Sequence, residues 1–148
     1  MYRVFLVVIT MLLCSAALAG PTSFADRVAM GMEGEHRSET NKARDQYRHP
    51  AETLRFFGIE DGMTVMEIWP GGGWYTDILA PAMRNHGKLV AATWDVKVEG
   101  QPAYRYELLK KMEENFTQYP QVFDQVTMKY YSPQMDIFNA KTYQTTVV

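Results

Sequence analysis

The sequence predicts an open α/β sheet of mainly parallel strands, and three observations carry that expectation. Two nearly unbroken apolar runs, Met63–Trp69 and Leu89–Trp94, have the length and composition of strands covered on both faces. A glycine triplet, Gly71-Gly72-Gly73, follows the first run and precedes residues with helical apolar spacing. The strand, helix, strand order from Met63 to Asp95 is then continued by a further helix and strand, the alternation of a doubly wound sheet with right-handed crossovers.

The chain has 148 residues, 47% hydrophobic and 22% charged, which fits one globular domain and excludes a disordered chain. Residues 1–19 are expected to be a secretory signal peptide. Arg3 precedes an apolar run from Val4 to Leu13, and Ala17-Leu18-Ala19 supplies a small-residue cleavage site. That run is shorter than the roughly 20 residues of a spanning helix. Cys14 follows the bulky Leu13, which argues against a lipid anchor. The expectation is an exported, periplasmic protein with no stable membrane anchor.

Removing the leader takes away one base and no acid, so the net charge moves from −2 to −3 and gives no electrostatic case for nucleic acid. The single cysteine leaves with it, and with it any disulfide, thiolate metal site or cysteine nucleophile. His36, His49 and His86 are scattered without metal-ligand spacing and are expected on the surface. No metal site and no catalytic base are expected from these residues.

Residues 20–48 are expected to form an N-terminal arm, polar and broken by Gly31 and Gly34, with a short helix from Thr22 to Met30 carrying Phe24, Val28 and Ala29 on one side. Residues 49–148 form the sheet domain. Pro50 suits a first helical turn, Ala51, Leu54 and Phe57 follow at helical spacing, and Gly58 stops the helix. After the Glu60-Asp61-Gly62 turn comes the first strand. The next helix is expected from Trp74 or Tyr75 to Asn85, with Ile78, Leu79 and Ala82 inward and Pro81 bending or dividing it.

The second strand runs from Lys88 to Trp94 and closes at Asp95. A helix from Ala103 to Gln118 places Tyr104, Leu108, Met112 and Phe116 in one stripe, read as core packing, and Pro120 ends it. Val126–Tyr131 is the third strand. Tyr143 to Val148 is strand-like, so the chain is expected to end inside a fourth.

In such a sheet ligands sit beyond the carboxyl ends of the strands, and glycines there let a backbone approach what a Cβ would exclude. No Lys-Ser or Lys-Thr follows the glycines, which excludes an ATP-binding P-loop. Gly71 and Gly73 fill two positions of the dinucleotide fingerprint, but Thr76 occupies the third, which disfavours NAD. Acids at the ends of both strands, Glu67 and Asp95, fit S-adenosylmethionine: Asp95 could accept from both ribose hydroxyls, while Glu67 could orient the loop or meet an ammonium.

From Arg44 to Asp95 the sequence resembles the class I S-adenosylmethionine-dependent methyltransferases, whose fold is Rossmann-like. Within that family it is similar to a group of predicted exported bacterial members. The motifs are Arg44-Asp45 with Arg48 and Pro50, Glu52 to Gly58, Gly62 to Val65, and EIWPGGGWYT from Glu67 to Thr76. The resemblance implies a methyltransferase with Glu67, Pro70, Gly71, Gly72, Gly73, Tyr75, Thr76 and Asp95 at the cofactor. The general family has glycine where Trp69 stands.

Two readings remain for Trp74 and Tyr75, lining the site or packing, and two for Arg44, Asp45 and Arg48, a lid or a solvated face. The resemblance also implies a longer protein whose acceptor motif lies beyond residue 148, so this chain is read as the cofactor-binding part, with the acceptor and the catalytic residues unknown. The alternatives are an exported module that binds a nucleotide-type ligand without transferring anything and, more weakly, an NAD-dependent oxidoreductase.

Overall fold

The computed structural model describes residues 23–131 and the backbone of 145–147. The leader expected over residues 1–19, with its cleavage site, lies outside the described residues. No helix among the described residues is long and apolar enough to cross a membrane.

The protein is an α/β fold around a four-stranded, all-parallel open sheet. The strands are β1 (Thr64–Ile68), β2 (Lys88–Trp94), β3 (Val126–Tyr131) and β4 (Thr145–Val147), in the order β3-β2-β1-β4. This is the Rossmann-like layout that the strand and helix alternation predicts. In register, Glu67 lies opposite Ala91 and Ile68 opposite Ala92, so β1 and β2 deliver their carboxyl ends to the same edge.

Seven helices are described: α1 (Phe24–Glu33), α2 (Glu39–Ala43), α3 (Asp45–Arg48), α4 (Pro50–Phe56), α5 (Thr76–Met83), α6 (Ala103–Gln118) and α7 (Pro120–Phe123). One sheet face, through Val65 and Leu89, meets Val28, Leu54, Ile78, Leu79 and Phe123 in the larger core. Met66, Val90 and Ala92 alternate to the opposite face and form a smaller cluster with Ile68 and Tyr131.

Four sequence expectations are corrected here. The first helix is longer than Thr22–Met30 and runs through Gly31. Ser23 caps it by accepting from the Asp26 N–H while Asp26 answers the Ser23 N–H. Gly31 is kept because a Cβ there would stand 2.8 Å from the Ile78 carbonyl oxygen, so α1 crosses α5 at backbone contact. The rest of the arm forms α2 and α3.

Helix α5 is shorter than expected, ending at Met83, and it is not divided by Pro81. Proline removes the N–H that would have bonded the carbonyl of Asp77. The His36 ring takes that place, with Nε2 2.6 Å from the Asp77 oxygen. In α6 the stripe differs by one position. Tyr104 is 52% exposed, whereas Leu109 is buried beside Met112. Pro120 not only follows α6 but starts α7, whose Phe123 stacks on Phe116 with ring centroids 4.4 Å apart.

Candidate functional site

The turn between β1 and α5 is shaped by three residues with positive φ: Trp69 at 55°, Gly71 at 61° and Gly73 at 86°. An L-residue in this region costs about 1–2 kcal/mol, which glycine does not incur. Trp69 carries that strain, and its side chain stands 58% exposed. Pro70 is buried, and its carbonyl accepts the Gly73 N–H at 2.9 Å, closing the turn.

The glycines divide the work. A Cβ on Gly73 would lie 3.3 Å from Met112 Cγ, so this glycine admits α6. A Cβ on Gly71 would meet nothing nearer than Leu108 at 3.9 Å; only its φ demands glycine. The N–H groups of Gly71 and Gly72 make no hydrogen bond among the described residues. They are unpaired donors ahead of a helix start, the arrangement that receives an anionic group.

Glu67 lies beneath the turn. It is 5% exposed and accepts a 2.5 Å hydrogen bond from the Thr76 hydroxyl. Burial raises its pKa to about 7, opposed by the Thr76 bond and reinforced by the neighbouring Asp77 carboxylate. Thr76 is fully buried, and its hydroxyl explains why this position is not the glycine or alanine of the dinucleotide pattern.

Asp95 stands at the end of β2, half-buried. Its N–H donates to the Tyr131 carbonyl at 2.9 Å and its Oδ1 accepts from the Lys97 N–H at 2.9 Å. Oδ2 takes no hydrogen bond among the described residues. Next to it, Thr93 Oγ1 and Trp94 Nε1 are buried without a hydrogen-bond partner among the described residues. The carboxyl edge of β2 therefore carries unmet polar capacity.

Around the start of α5 the arm is fastened down. Trp74 is 5% exposed and donates from Nε1 to the Asn41 carbonyl at 3.0 Å; it packs edge-on to Tyr75, centroids 4.7 Å apart. Of the two readings for Trp74, packing is the one observed. The Arg48 guanidinium lies 4.3 Å from the Trp74 ring centre and 5.8 Å from that of Tyr75. Asp45 is held by both terminal nitrogens of the buried Arg37, at 2.7 and 2.8 Å, and Arg44 is exposed.

The residue that the sequence did not single out is Asp77. It is 3% exposed, and its carboxylate accepts from Asn41 Nδ2 at 3.3 Å and Asn115 Nδ2 at 3.0 Å. Burial raises its pKa to about 7, opposed by these two bonds and by the charges of Arg37 and Lys111. His36, expected on the surface, is buried against Phe123 and Tyr119, and burial lowers its pKa. Pro81, four residues after Asp77, was the available signal for a freed carbonyl there; nothing local marks Asn41 or Asn115.

A cleft of about 200 Å³ opens beside Asp77, lined also by His36, Ser38, Asn41, Lys111 and Asn115. No group of three or more His, Cys, Asp or Glu side chains among the described residues could hold a metal ion.

No protein-family description matches this chain, and no curated protein does. Among solved structures, it is similar to a SAM-dependent methyltransferase from Aquifex aeolicus. The identity is 20% over 60% of this chain and 40% of that one, with a TM-score of 0.44. It is also similar to a proposed O-methyltransferase from Klebsiella pneumoniae, at 22% identity over 78% of this chain and 46% of that one, with a TM-score of 0.39. The chain spans less than half the length of either, and overlaps this partial say nothing about what it binds.

Proposed function

We propose that this chain is the cofactor-binding part of an S-adenosylmethionine-dependent methyltransferase. One observation carries the reading: unpaired N–H donors of Gly71 and Gly72 and the open Oδ2 of Asp95 belong to the carboxyl ends of adjacent parallel strands. The ligand's carboxylate and ribose hydroxyls need such a set, donors at one end and a carboxylate acceptor at the other. When bound, the cofactor supplies an activated methyl group on a sulfonium.

The chain's own residues hold that ligand and set its place. Gly71 lets the backbone approach, Asp95 orients the ribose, and Thr76 with Glu67 fixes the helix start from below. Tyr75, half-buried on the turn, supports Arg48 above it. Glu67 is thereby a positioning residue, since its carboxylate is sealed beneath the turn. The leader pattern of residues 1–19 supports reading the protein as exported.

Calorimetry with S-adenosylmethionine, S-adenosylhomocysteine and NAD tests the reading. The expected result is binding of both sulfur ligands and none of NAD, with Gly71→Val abolishing it. Binding of NAD alone would overturn the reading in favour of a dinucleotide site, and binding of none would leave a domain without cofactor function.

A further inference from the structure

We infer that the cleft between the arm, the first turn of α5 and the middle of α6 is a second binding site, built for a small zwitterion of the amino-acid type. The cleft shares Gly72 with the proposed cofactor turn, and the inference rests on Asp77 and Lys111 rather than on that reading. It starts from Asp77, a buried carboxylate whose hydrogen-bond donors are two neutral amides, Asn41 and Asn115. Among the described residues it has no ion pair. Buried carboxylates are otherwise paired with a cation, because desolvating the charge is expensive.

The surroundings show how a cation could be accommodated. His36, the nearest ring, is committed through Nε2 to the Asp77 backbone oxygen, and burial keeps it from charging readily. Arg37 is used by Asp45 and by the Met32 carbonyl. Glu67 faces Asp77 from the sheet side and adds negative charge. None of these groups forms an ion pair with the Asp77 carboxylate, although the charges of Arg37 and Lys111 act on it.

The lining of the cleft also carries the complementary group. Lys111 is exposed on its rim and makes no ion pair among the described residues, whereas Glu114 beside it is answered by Lys110 at 3.7 Å. A ligand with an ammonium toward Asp77 and a carboxylate toward Lys111 meets both charges. The volume of about 200 Å³ lies below the roughly 300 Å³ at which pockets for drug-sized ligands begin, which limits the ligand to a few heavy atoms. With no cluster able to hold a metal among the described residues, the charge pattern favours an organic cation over a metal ion.

The test is calorimetry on the purified chain with L-alanine, ethylamine and propionate. Alanine is expected to bind, ethylamine more weakly and propionate not at all. Lys111→Ala, at an exposed position, should weaken alanine by about tenfold while leaving thermal unfolding unchanged. Asp77→Asn should abolish binding, and its melting curve shows whether it still folds. Absence of alanine binding, or binding that Lys111→Ala leaves unchanged, would overturn the inference. So would displacement of alanine by S-adenosylmethionine together with loss of alanine binding in Asp95→Ala, which would make the cleft part of the cofactor site.

Discussion

Glu67 and Asp95 come from neighbouring strands at the same edge of the sheet, and they do opposite things. Glu67 points into the layer between sheet and helix, is 5% exposed and is bonded by Thr76. Asp95 lies past the end of its strand, half-buried, with one oxygen in a local turn and the other open. Two acids that look alike in sequence therefore divide into a sealed group and one with an open oxygen, which the proposed function assigns as support and binding group. What separates them is whether the side chain lies within the sheet layer or beyond the strand end, and burial raises the pKa of Glu67.

The largest expected effect concerns pH. Glu67 and Asp77 rise from 4.5 and 3.8 to about 7 in the folded chain. A raised carboxyl means that the folded state holds its proton more tightly than the unfolded state, so this contribution is complete below the ordinary values and is lost as pH climbs toward 7. Urea unfolding should thus show stability falling between about pH 4 and about pH 7. Glu67→Gln, which removes one of the two titrating groups, should make that fall shallower and leave the part due to Asp77.

Next in size is Thr76→Val, which removes the hydroxyl from a buried carboxyl and should cost about 1–3 kcal/mol in urea unfolding. Thr76→Ser should restore most of it. Were Thr76→Val neutral, Glu67 would not be the support that its burial suggests.

A smaller effect is expected for Arg48→Ala. The guanidinium lies over Trp74 in an exposed position, so losing it should cost about 0.5–1 kcal/mol. Faster tryptic cleavage within residues 36–48 would identify the arm as the part released. Smallest of all is Asp95→Ala, expected to change stability by no more than about 0.5 kcal/mol.

The sheet was legible because its signals are local. Val126–Tyr131 is found where its composition places it, and Lys88–Trp94 likewise, since an apolar run between turn residues needs no distant partner to be a strand. The arm was illegible for the opposite reason. Arg27 donates to the Ala82 carbonyl at 2.8 Å, His36 meets the Asp77 carbonyl and Asn41 receives Trp74, all across long sequence separations. Polar residues with such partners read as solvated until the partners are known.

Within the site the division was similar. The positions of Glu67, Gly71, Gly73 and Asp95 could be read from the strand ends and the glycines. Their different roles could not, because Met112 against Gly73 and Thr76 against Glu67 are tertiary contacts. Asp77 carries no mark in the sequence, since an acid in a first helical turn is a residue type that helix starts favour without any further role.

The contrast between the two acids is tested most directly by S-adenosylmethionine affinity in paired variants, each checked for folding by its melting curve. Asp95→Ala should lose at least about tenfold in affinity with an unchanged melting temperature, while Glu67→Gln should keep affinity near that of the parent chain. If Asp95→Ala binds as well as the parent, or if Glu67→Gln alone abolishes binding in a fully folded protein, the assignment of Asp95 as the binding acid and Glu67 as its support is contradicted.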